Sequence, residues 1–256
     1  NFPIAIPAWK IAPALAFGNA VVMKPAELTP ACAWELAKIL DEAGCPKGVF
    51  NLVLGSGSVV GARIAEHPDI DAVSFTGSVP TGRQIGVTCA SLGKKVQMEM
   101  GGKNPMVVMD DADLDVAIGA CVNGAFFSTG QRCTASSRLI VTKGIYDKFV
   151  DALTEAADNL VVGDALDSAT QIGPVVDEKQ LQQNVDYVKL AAEEGCDVRG
   201  GAIQNGPGFF QKPAVFASAT NDMRVSREEI FGPCASVIKA DDYDEALHLA
   251  NDTDFG

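Results

Sequence analysis

Cys133 and Glu99 are the two side chains of this sequence whose surroundings suit a covalent reaction. Cys133 lies in the polar segment STGQRCTA (residues 128–135), directly after an apolar helical pattern. Polar neighbours and the cation of Arg132 favour an accessible, reactive thiol over a buried structural one. The other cysteines fall in apolar helical patterns or near loops, and a structural role is predicted for them.

Glu99 lies in a strand pattern between two methionines, and the glycine pair 101–102 follows at once. A carboxylate in this position is paired, faces water at a sheet edge, or serves as a base. The segment alone does not decide whether Glu99 is a water-facing edge residue or a base. His67, before a proline, and His248, in a terminal helix pattern, are predicted to be surface residues. A cysteine–histidine dyad is therefore poorly supported.

Three strand-to-turn junctions have residues that a phosphate or ribose site requires. Gly77 and Ser78 follow a strand and open a helix, which places their backbone N–H groups to face a pyrophosphate. The alternative is an ordinary glycine turn with a serine N-cap. Gly57, in the segment GSG (residues 55–57), leaves the same two possibilities. Lys24 and Glu27 follow another strand, where they suit ribose hydroxyls or form a solvated loop pair.

The elements that position these residues alternate between short strand patterns and helical patterns, which predicts an α/β fold with a largely parallel sheet. Strands are predicted at residues 20–23, 49–54, 72–75, 95–100, 138–142, 215–216 and 236–239. Helices are predicted from the N-cap Thr29 to Gly44, at 59–66, from 76 toward 90, from Asp113 to Phe127, and at 146–159 and 177–194. The glycine pair 101–102 is the predicted boundary between two domains.

Composition and charge exclude several classes of protein. With 47% hydrophobic and 21% charged residues among 256, the composition is that of a globular protein. The sequence has neither an apolar run long enough to span a bilayer nor a signal-peptide pattern. A net charge of −13 without a basic cluster argues against a nucleic-acid or anionic-membrane partner. Seven scattered cysteines without a CxxC pair disfavour a metal site and indicate reduced thiols in the cytoplasm.

Seven motifs, in order along the chain, resemble the aldehyde dehydrogenase superfamily. They are NFP (1–3), WKIAPAL with GN (9–15 and 18–19), KPAELTP (24–30), FTGS (75–78), EMGGKNP (99–105), GQRC (130–133) and EEIFGP (228–233). The resemblance implies that residues 1–101 are the C-terminal part of a Rossmann-like dinucleotide-binding domain. It implies that residues 102–256 are an α/β catalytic domain that bears the nucleophile and is truncated at its C-terminal end.

The resemblance also assigns a role to each candidate residue. It implies that Cys133 is the nucleophile and Glu99 the general base, and that Asn1 completes the oxyanion hole with the Cys133 N–H. Further residues are implied to hold the cofactor: Lys24 and Glu27 at the adenosine ribose, Gly77 and Ser78 at the pyrophosphate, and Glu229 and Phe231 at the nicotinamide ribose and ring.

The implied reaction is the oxidation of an aldehyde to a carboxylic acid with NAD or NADP and without a metal. The Cys133 thiolate adds to the carbonyl, hydride leaves for the nicotinamide, and water attacks the thioester with Glu99 as base. One alternative is an acylating dehydrogenase that uses coenzyme A, although the presence of Glu99 argues against it. Another is a cofactor-binding relative without activity. Glu27 favours NAD, because a carboxylate accepts from a ribose 2′-OH and repels a 2′-phosphate.

The segment FSTGQRCTASSR (127–138) looks most like the 2-oxoglutarate semialdehyde dehydrogenases of bacterial sugar-acid catabolism. Arg132 is then either a partner for a substrate carboxylate or a surface or cofactor-side charge. The resemblance implies a cytoplasmic homodimer or homotetramer that acts on a small aldehyde. Because the chain begins at Asn1 without a methionine and ends in a loop-like segment, we expect a piece of a longer protein. Chain ends are mobile, so these residues alone are expected to be weakly active or inactive.

Overall fold

The computed structural model describes residues 1–255 and divides into two compact units, Asn1–Gly101 and Gly102–Gly256. Helices and strands alternate through both units, and most strand pairs are parallel. The predicted α/β class is therefore confirmed. Over the described residues, the structure has no helix with both the length and the apolar character that crossing a membrane demands.

The first unit contains two parallel strand pairs among helices. Its elements are α1 (Ala5–Ala16), β1 (Val21–Met23), α2 (Pro30–Glu42), β2 (Phe50–Leu52), a π-helical turn (Gly57–Gly61), α3 (Ala62–Glu66), β3 (Ala72–Thr76), α4 (Val79–Ser91) and β4 (Lys95–Glu99). β1 pairs with β2, and β3 pairs with β4 so that Thr76 lies opposite Glu99. The chain segments that follow β1, β2 and β3 carry the predicted cofactor residues of this unit.

The second unit is built on one larger sheet. Its elements are β5 (Asn104–Val108), α5 (Leu114–Phe126), a short 3₁₀ segment (Phe127–Gly130), β6 (Ser136–Thr142), α6 (Tyr146–Asp158), α7 (Glu178–Glu193), β7 (Asp197–Gly200), β8 (Ile203–Gln204), β9 (Phe210–Gln211), β10 (Ala214–Ala219), α8 (Arg224–Arg227), β11 (Cys234–Ala240) and α9 (Tyr243–Asn251). Within the described part of the chain, five strands form this sheet in the order β5-β6-β11-β10-β7. The first four run parallel, and β7 is antiparallel at one edge.

Both faces of this sheet are covered, as expected for parallel strands joined by helices. Leu139, Ile140 and Val141 of β6 are consecutive and fully buried. Leu139 and Val141 pack in the same cluster as Phe149 of α6, whereas Ile140 packs with Ile238 in a separate cluster. Each such side chain contributes about 1.5–3 kcal/mol when fully buried. The strand that follows the Cys133 loop is therefore held rigidly.

A buried arginine joins β6 to the C-terminal end of α9. Arg138 is fully buried, and its Nε donates to the carbonyl of Lys103 at 2.9 Å. Its other nitrogens donate to Asn221 Oδ1 at 3.0 Å and to the carbonyls of Leu249 at 2.8 Å and Ala250 at 3.0 Å. Cations are favourable at the carbonyl end of a helix. Arg138 thereby ties the segment after Gly102 to the core of the unit.

The observed elements correct several predictions from the sequence. The helix Ala5–Ala16 was not predicted, and Pro13 within it is a residue type that disfavours a helix interior. Thr29 lies at the N-cap of α2 as predicted, but within the described chain its side chain makes no capping hydrogen bond. Asp113 does cap α5, accepting from Val116 N–H at 3.1 Å. The predicted helix 59–66 is instead a π-helical turn followed by a short α-helix.

Candidate active site

Cys133 follows a turn whose backbone is left-handed at three successive residues. Ser128, Thr129 and Gly130 have φ values of 55°, 59° and 63°. For residues other than glycine this conformation costs of the order of 1 kcal/mol each and persists where surrounding contacts impose it. A Cβ on Gly130 would lie 2.0 Å from the carbonyl oxygen of Gly232, so only glycine fits there. The sequence did not indicate this strain, because serine and threonine rarely adopt such angles.

Two side chains of the turn bind a neighbouring segment of the same unit. The Thr129 hydroxyl is buried and lies 3.3 Å from the carbonyl oxygens of both Gly173 and Pro174. Oε1 of Gln131 accepts a hydrogen bond of 2.9 Å from the N–H of Val176. These contacts impose the left-handed backbone and fix the approach of the chain to Cys133.

Arg132 is engaged by the end of the preceding helix. Its Nη2 donates to the carbonyl of Gly124 at 2.9 Å and also to that of Asn123, both in the last turns of α5. A guanidinium near helix carbonyls complements the helix dipole. Arg132 therefore anchors its loop to α5. Whether it also pairs with a substrate carboxylate, faces the cofactor or is a surface charge stays open.

The half-buried Cys133 has its own carbonyl held by Asn104, the first residue of β5. Nδ2 of Asn104 donates to the Cys133 carbonyl at 2.7 Å and to the Ala135 carbonyl at 3.1 Å. A Cβ on Gly102 would lie 2.9 Å from the Cys133 carbonyl oxygen, so the absence of a side chain there allows this close approach. Sequence reasoning placed Asn104 inside a motif but gave it no role.

Glu229 contacts Gly102, although the two residues are 127 positions apart in the sequence. Oε1 of Glu229 accepts a hydrogen bond of 3.0 Å from the Gly102 N–H. Burial raises the pKa of Glu229, and the Gly102 N–H and the charge of Lys103 partly offset this effect. Phe231, two residues on, has a φ of 58°, an outlier for an aromatic residue. Both line one small pocket with Gly102, Gly130 and Arg132.

Lys103, between Gly102 and Asn104, is a buried amine. It is 1% exposed, and within the described residues its Nζ has no hydrogen-bond partner. Burial lowers its pKa to about 7; Cys234 and the carboxylate of Glu229 act in the opposite direction. A buried lysine in this condition gives up its proton far more readily than one in water. No local pattern in the sequence indicates this burial.

In the first unit, Glu99 ends β4 within a chain of polar side chains. Its Oε1 accepts a hydrogen bond of 3.0 Å from Nε2 of Gln97, two residues earlier on the same strand face. Oε1 of Gln97 accepts in turn from Ser74 at 2.6 Å and from Nζ of Lys10 at 3.1 Å. Burial lowers the pKa of Lys10, and the charge of Glu99 opposes that shift. Glu99 is thus a partnered carboxylate at an exposed strand end, which leaves its predicted role as a base open.

Two of the predicted cofactor residues in this unit contact each other. Oε1 of Glu27 accepts a hydrogen bond of 2.7 Å from the Gly57 N–H, across 30 positions of sequence. The amine of Lys24 turns back to the carbonyl of Pro25. The glutamate and the glycine turn therefore form one local structure at the ends of β1 and β2.

The turn before α4 has backbone donors directed past its N-terminus. The N–H of Gly77 donates to the Glu99 carbonyl at 3.1 Å, which ties the turn to β4. The hydroxyl of Ser78 donates to Oγ1 of Thr81 at 3.0 Å, and in the described chain its side chain does not cap the helix. First-turn N–H groups without a side-chain cap suit a phosphate oxygen, because they carry the positive end of the helix dipole. The residues present therefore fit a dinucleotide pyrophosphate.

Asn1 is exposed at the start of the chain, before α1. Among the described residues, no three His, Cys, Asp or Glu side chains are grouped as a metal site would require.

Comparison with known proteins decides the family. The model of the aldehyde dehydrogenase family matches residues 1–256. The chain belongs to the aldehyde dehydrogenase family. It is 46% identical to an alpha-ketoglutaric semialdehyde dehydrogenase of Bacillus subtilis, covering 100% of this chain and 54% of that protein. It is 48% identical to a betaine aldehyde dehydrogenase of Rhizobium leguminosarum, covering 100% of this chain and 53% of that protein.

Solved structures of other aldehyde dehydrogenases have the same fold. A betaine aldehyde dehydrogenase from Staphylococcus aureus, crystallised in complex with NAD⁺, matches with a TM-score of 0.96 at 38% identity, over 99% of this chain and 51% of that one. A lactaldehyde dehydrogenase matches with a TM-score of 0.96 at 42% identity, over 99% and 54%. The predicted resemblance and the aldehyde dehydrogenase-like fold are confirmed. The chain spans about half the length of the curated relatives it matches.

Within this aldehyde dehydrogenase chain, sequence reasoning missed the residues that hold the motif residues in place. Asn104 and Gln97 each donate a side-chain hydrogen bond to a predicted catalytic residue. The available signal was weak, because β-strand periodicity alone places Gln97 on the same face as Glu99. The contact between Asn104 and Cys133 joins positions 29 residues apart, which no local pattern reveals.

Proposed function

We propose that this aldehyde dehydrogenase oxidises an aldehyde to a carboxylic acid with NAD(P)⁺, through a thioester on Cys133. The observation that carries the proposal is the backbone at Cys133. Among the described residues nothing accepts a hydrogen bond from its N–H, while Asn104 holds its carbonyl. An unpaired N–H at a fixed thiol is the arrangement that stabilises an oxyanion when the thiol adds to a carbonyl.

The chemistry proceeds in two halves. The Cys133 thiolate adds to the aldehyde carbon, and the oxyanion that forms accepts from the Cys133 N–H and, in this proposal, from the side chain of Asn1. NAD(P)⁺, when bound, supplies the acceptor for the hydride that leaves this carbon. Glu99 then removes a proton from water as the water attacks the thioester, which releases the acid and regenerates the thiolate.

We assign the adenosine ribose and pyrophosphate sites to residues 1–101, and the nucleophile together with the nicotinamide contacts to residues 102–256. Glu27, already held at the Gly57 turn through one oxygen, has a second oxygen for a ribose hydroxyl. The turn at Gly77 and Ser78 leads into α4, whose first-turn N–H groups have no side-chain cap and would face the pyrophosphate. Glu229 and Phe231 would contact the nicotinamide ribose and ring. Lys24 lies beside the Glu27 turn and would complete the adenosine ribose site.

We propose NAD as the preferred cofactor. The carboxylate of Glu27 would repel the 2′-phosphate of NADP, whereas it accepts from the 2′-OH of NAD. The relative from Staphylococcus aureus, crystallised with NAD⁺, supports this preference. A higher kcat/KM with NADP than with NAD would contradict it.

For the substrate we propose a carboxylated semialdehyde such as 2-oxoglutarate semialdehyde. Support comes from the relatives named for that substrate in Bacillus subtilis and Haloferax volcanii, each 46% identical. The betaine aldehyde dehydrogenases are similarly close, and they are named for a cationic substrate. Because 2-oxoglutarate semialdehyde and betaine aldehyde differ in charge, comparison of their kcat/KM values distinguishes the two substrates. A preference for betaine aldehyde would overturn the proposed substrate without affecting the reaction type.

The experiment that tests the reaction is Cys133→Ala in the full-length protein. Turnover of the aldehyde should fall below detection while the Kd for NAD stays within about threefold, because the thiol forms the covalent intermediate. Cys45→Ala is the matched control, since Cys45 is also a half-buried free thiol and lies in the other unit. Substantial aldehyde oxidation by Cys133→Ala would reject the proposal.

A further inference from the structure

The loop that presents Cys133 is closed by a tight turn with one external anchor. The N–H of Ala135 donates to the carbonyl of Arg132 at 3.0 Å, so Cys133 and Thr134 are the central residues of this turn. Nδ2 of Asn104 donates to the carbonyls of Cys133 and Ala135, at 2.7 Å and 3.1 Å. One amide nitrogen therefore clamps two carbonyls of the turn, and both of its hydrogens are used.

We propose that Asn104 is a positioning residue that fixes the backbone of Cys133 so that its N–H is directed at the developing oxyanion. The inference rests on the proposed thioester chemistry and adds a residue to it. The hydrogen bonds of the Asn104 amide nitrogen go to two carbonyl oxygens and not to the reacting thiol or its N–H. Its effect passes through the backbone angles of Cys133.

The position of Asn104 suits this role. It begins β5 and lies opposite Ser136, the first residue of β6, at a bulge in the parallel pair. β6 is buried and continues directly from the nucleophile turn. The clamp thus connects the turn to the rigid sheet at a second point, and sites held by regular elements keep their geometry best. Gly102 leaves room for the Asn104 side chain, because a Cβ at residue 102 would lie 3.3 Å from the Asn104 amide.

Only a side chain with two donors on one atom reproduces the clamp. Aspartate has the same shape but, when ionised, it donates nothing and would place charge against two carbonyl oxygens. Serine has one donor on a shorter side chain, so it can bind at most one of the carbonyls. Alanine has none. Along the series Asn, Ser, Ala the number of hydrogen bonds to the two carbonyls therefore falls, and no charge is added.

Two reactions of the Cys133 thiol distinguish a misdirected Cys133 N–H from a general disruption of the loop. Addition to an aldehyde creates an oxyanion, whereas alkylation by iodoacetamide displaces iodide and creates none. Loss of oxyanion stabilisation costs roughly 100- to 1000-fold when a donor is removed outright, so misdirection of the N–H should cost about 10- to 100-fold. Alkylation of Cys133 should change by less than about threefold, because it needs no oxyanion donor.

The experiment uses the full-length protein with NAD and a semialdehyde. In Asn104→Ala the rate of the first NADH burst should fall about 10- to 100-fold, with Asn104→Ser between Ala and wild type. Peptide mapping should show that iodoacetamide labels Cys133 at the wild-type rate. Asn51→Ala is the matched control, because Asn51 Nδ2 likewise donates to two backbone carbonyls, of Gly48 at 2.8 Å and Val21 at 3.3 Å. Its burst rate should match the wild type.

The inference about Asn104 is overturned if the burst rate of Asn104→Ala equals that of wild type. It is also overturned if the burst and the alkylation rate fall together, because that pattern indicates a collapsed loop and not a misdirected N–H. Both outcomes leave the proposed function intact. A wild-type protein that oxidises aldehydes without a need for Cys133 would instead reject the proposed function.

Discussion

The side-chain amide of Gln97 donates a hydrogen bond of 3.0 Å to Oε1 of Glu99, two residues further along β4. Gln97 is itself held by Ser74 and Lys10, so the carboxylate is the last member of a connected polar chain. A base that must meet water at a defined point benefits from this restraint, since small displacements of a catalytic group are costly in rate. The proposed base is therefore oriented by Gln97, which lies outside the seven motifs.

Replacement of Glu99 by glutamine should separate the two halves of the reaction. We expect Glu99→Gln to give a burst of NADH close to one per active site, followed by turnover at least about 100-fold slower than wild type, because water lacks its base. Stopped-flow absorbance measures both phases. Glu35→Gln is the control, as it alters an exposed carboxylate paired with Lys38. Equal loss of burst and turnover would assign Glu99 a structural or thiol-activating role.

Arg132 is predicted to act on the loop and not on the substrate. Arg132→Met should lower the free energy of unfolding by about 1–2 kcal/mol, because the carbonyls of Asn123 and Gly124 lose a charged donor. The ratio of kcat/KM for a carboxylated over a neutral aldehyde should change by less than about threefold. A direct carboxylate clamp would instead lower that ratio on the order of a hundredfold. Arg199→Met, which removes a surface guanidinium paired with Asp151, is the control.

The buried amine of Lys103 makes stability depend on pH. Its pKa falls from an ordinary value of 10.5 to about 7 on folding, so between these values the unfolded chain binds a proton that the folded chain lacks. The free energy of unfolding then rises with pH across this window. Below about pH 7 the buried amine is protonated in the folded chain too, so the full destabilisation by its buried charge is present. Lys103→Met removes the titration. The wild-type free energy of unfolding minus that of Lys103→Met should increase by about 2 kcal/mol between pH 7 and pH 9.

Urea unfolding at several pH values within that window measures the difference. The exposed Lys148→Met is the control, and its difference from wild type should stay constant. Cys234, whose pKa burial raises from 9.0 to about 12, has the opposite effect only above pH 9. A pH-independent difference between wild type and Lys103→Met would show that the amine keeps its proton in the fold.

The sequence predicted the α/β class and, in the second unit, β6, β10, β11 and the longer helices, which have strong local patterns, but it did not predict β5, β7 or β9. The apolar run of β6 and the cap at Asp113 are examples, and both were predicted close to their observed positions. The helix Ala5–Ala16 was missed; Pro13 within it opposes helix formation in isolation, and tertiary context decides such cases. The exposed strand β8 has too little pattern to predict.

The candidate site divides in the same manner. Residues with a proposed catalytic or cofactor role, such as Cys133 and Glu229, lie in motifs that the sequence displays. Residues that orient them act through contacts far apart in sequence, as Asn104 does with Cys133 and Gly102 with Glu229. The left-handed backbone of Ser128 and Phe231 is likewise imposed by surroundings, so residue type gives no warning of it.

Covalent capture on Cys133 tests the central claim most directly. The full-length Glu99→Gln variant, mixed with NAD and 2-oxoglutarate semialdehyde, should accumulate the acylated enzyme because thioester hydrolysis is blocked. Intact mass after acid quench should show one added acyl group per chain, and peptide mapping should place it on Cys133. The same treatment of Glu99→Gln combined with Cys133→Ala should add no mass. NADH formation without an adduct in the Glu99→Gln variant, or an adduct on another residue, would contradict the proposal.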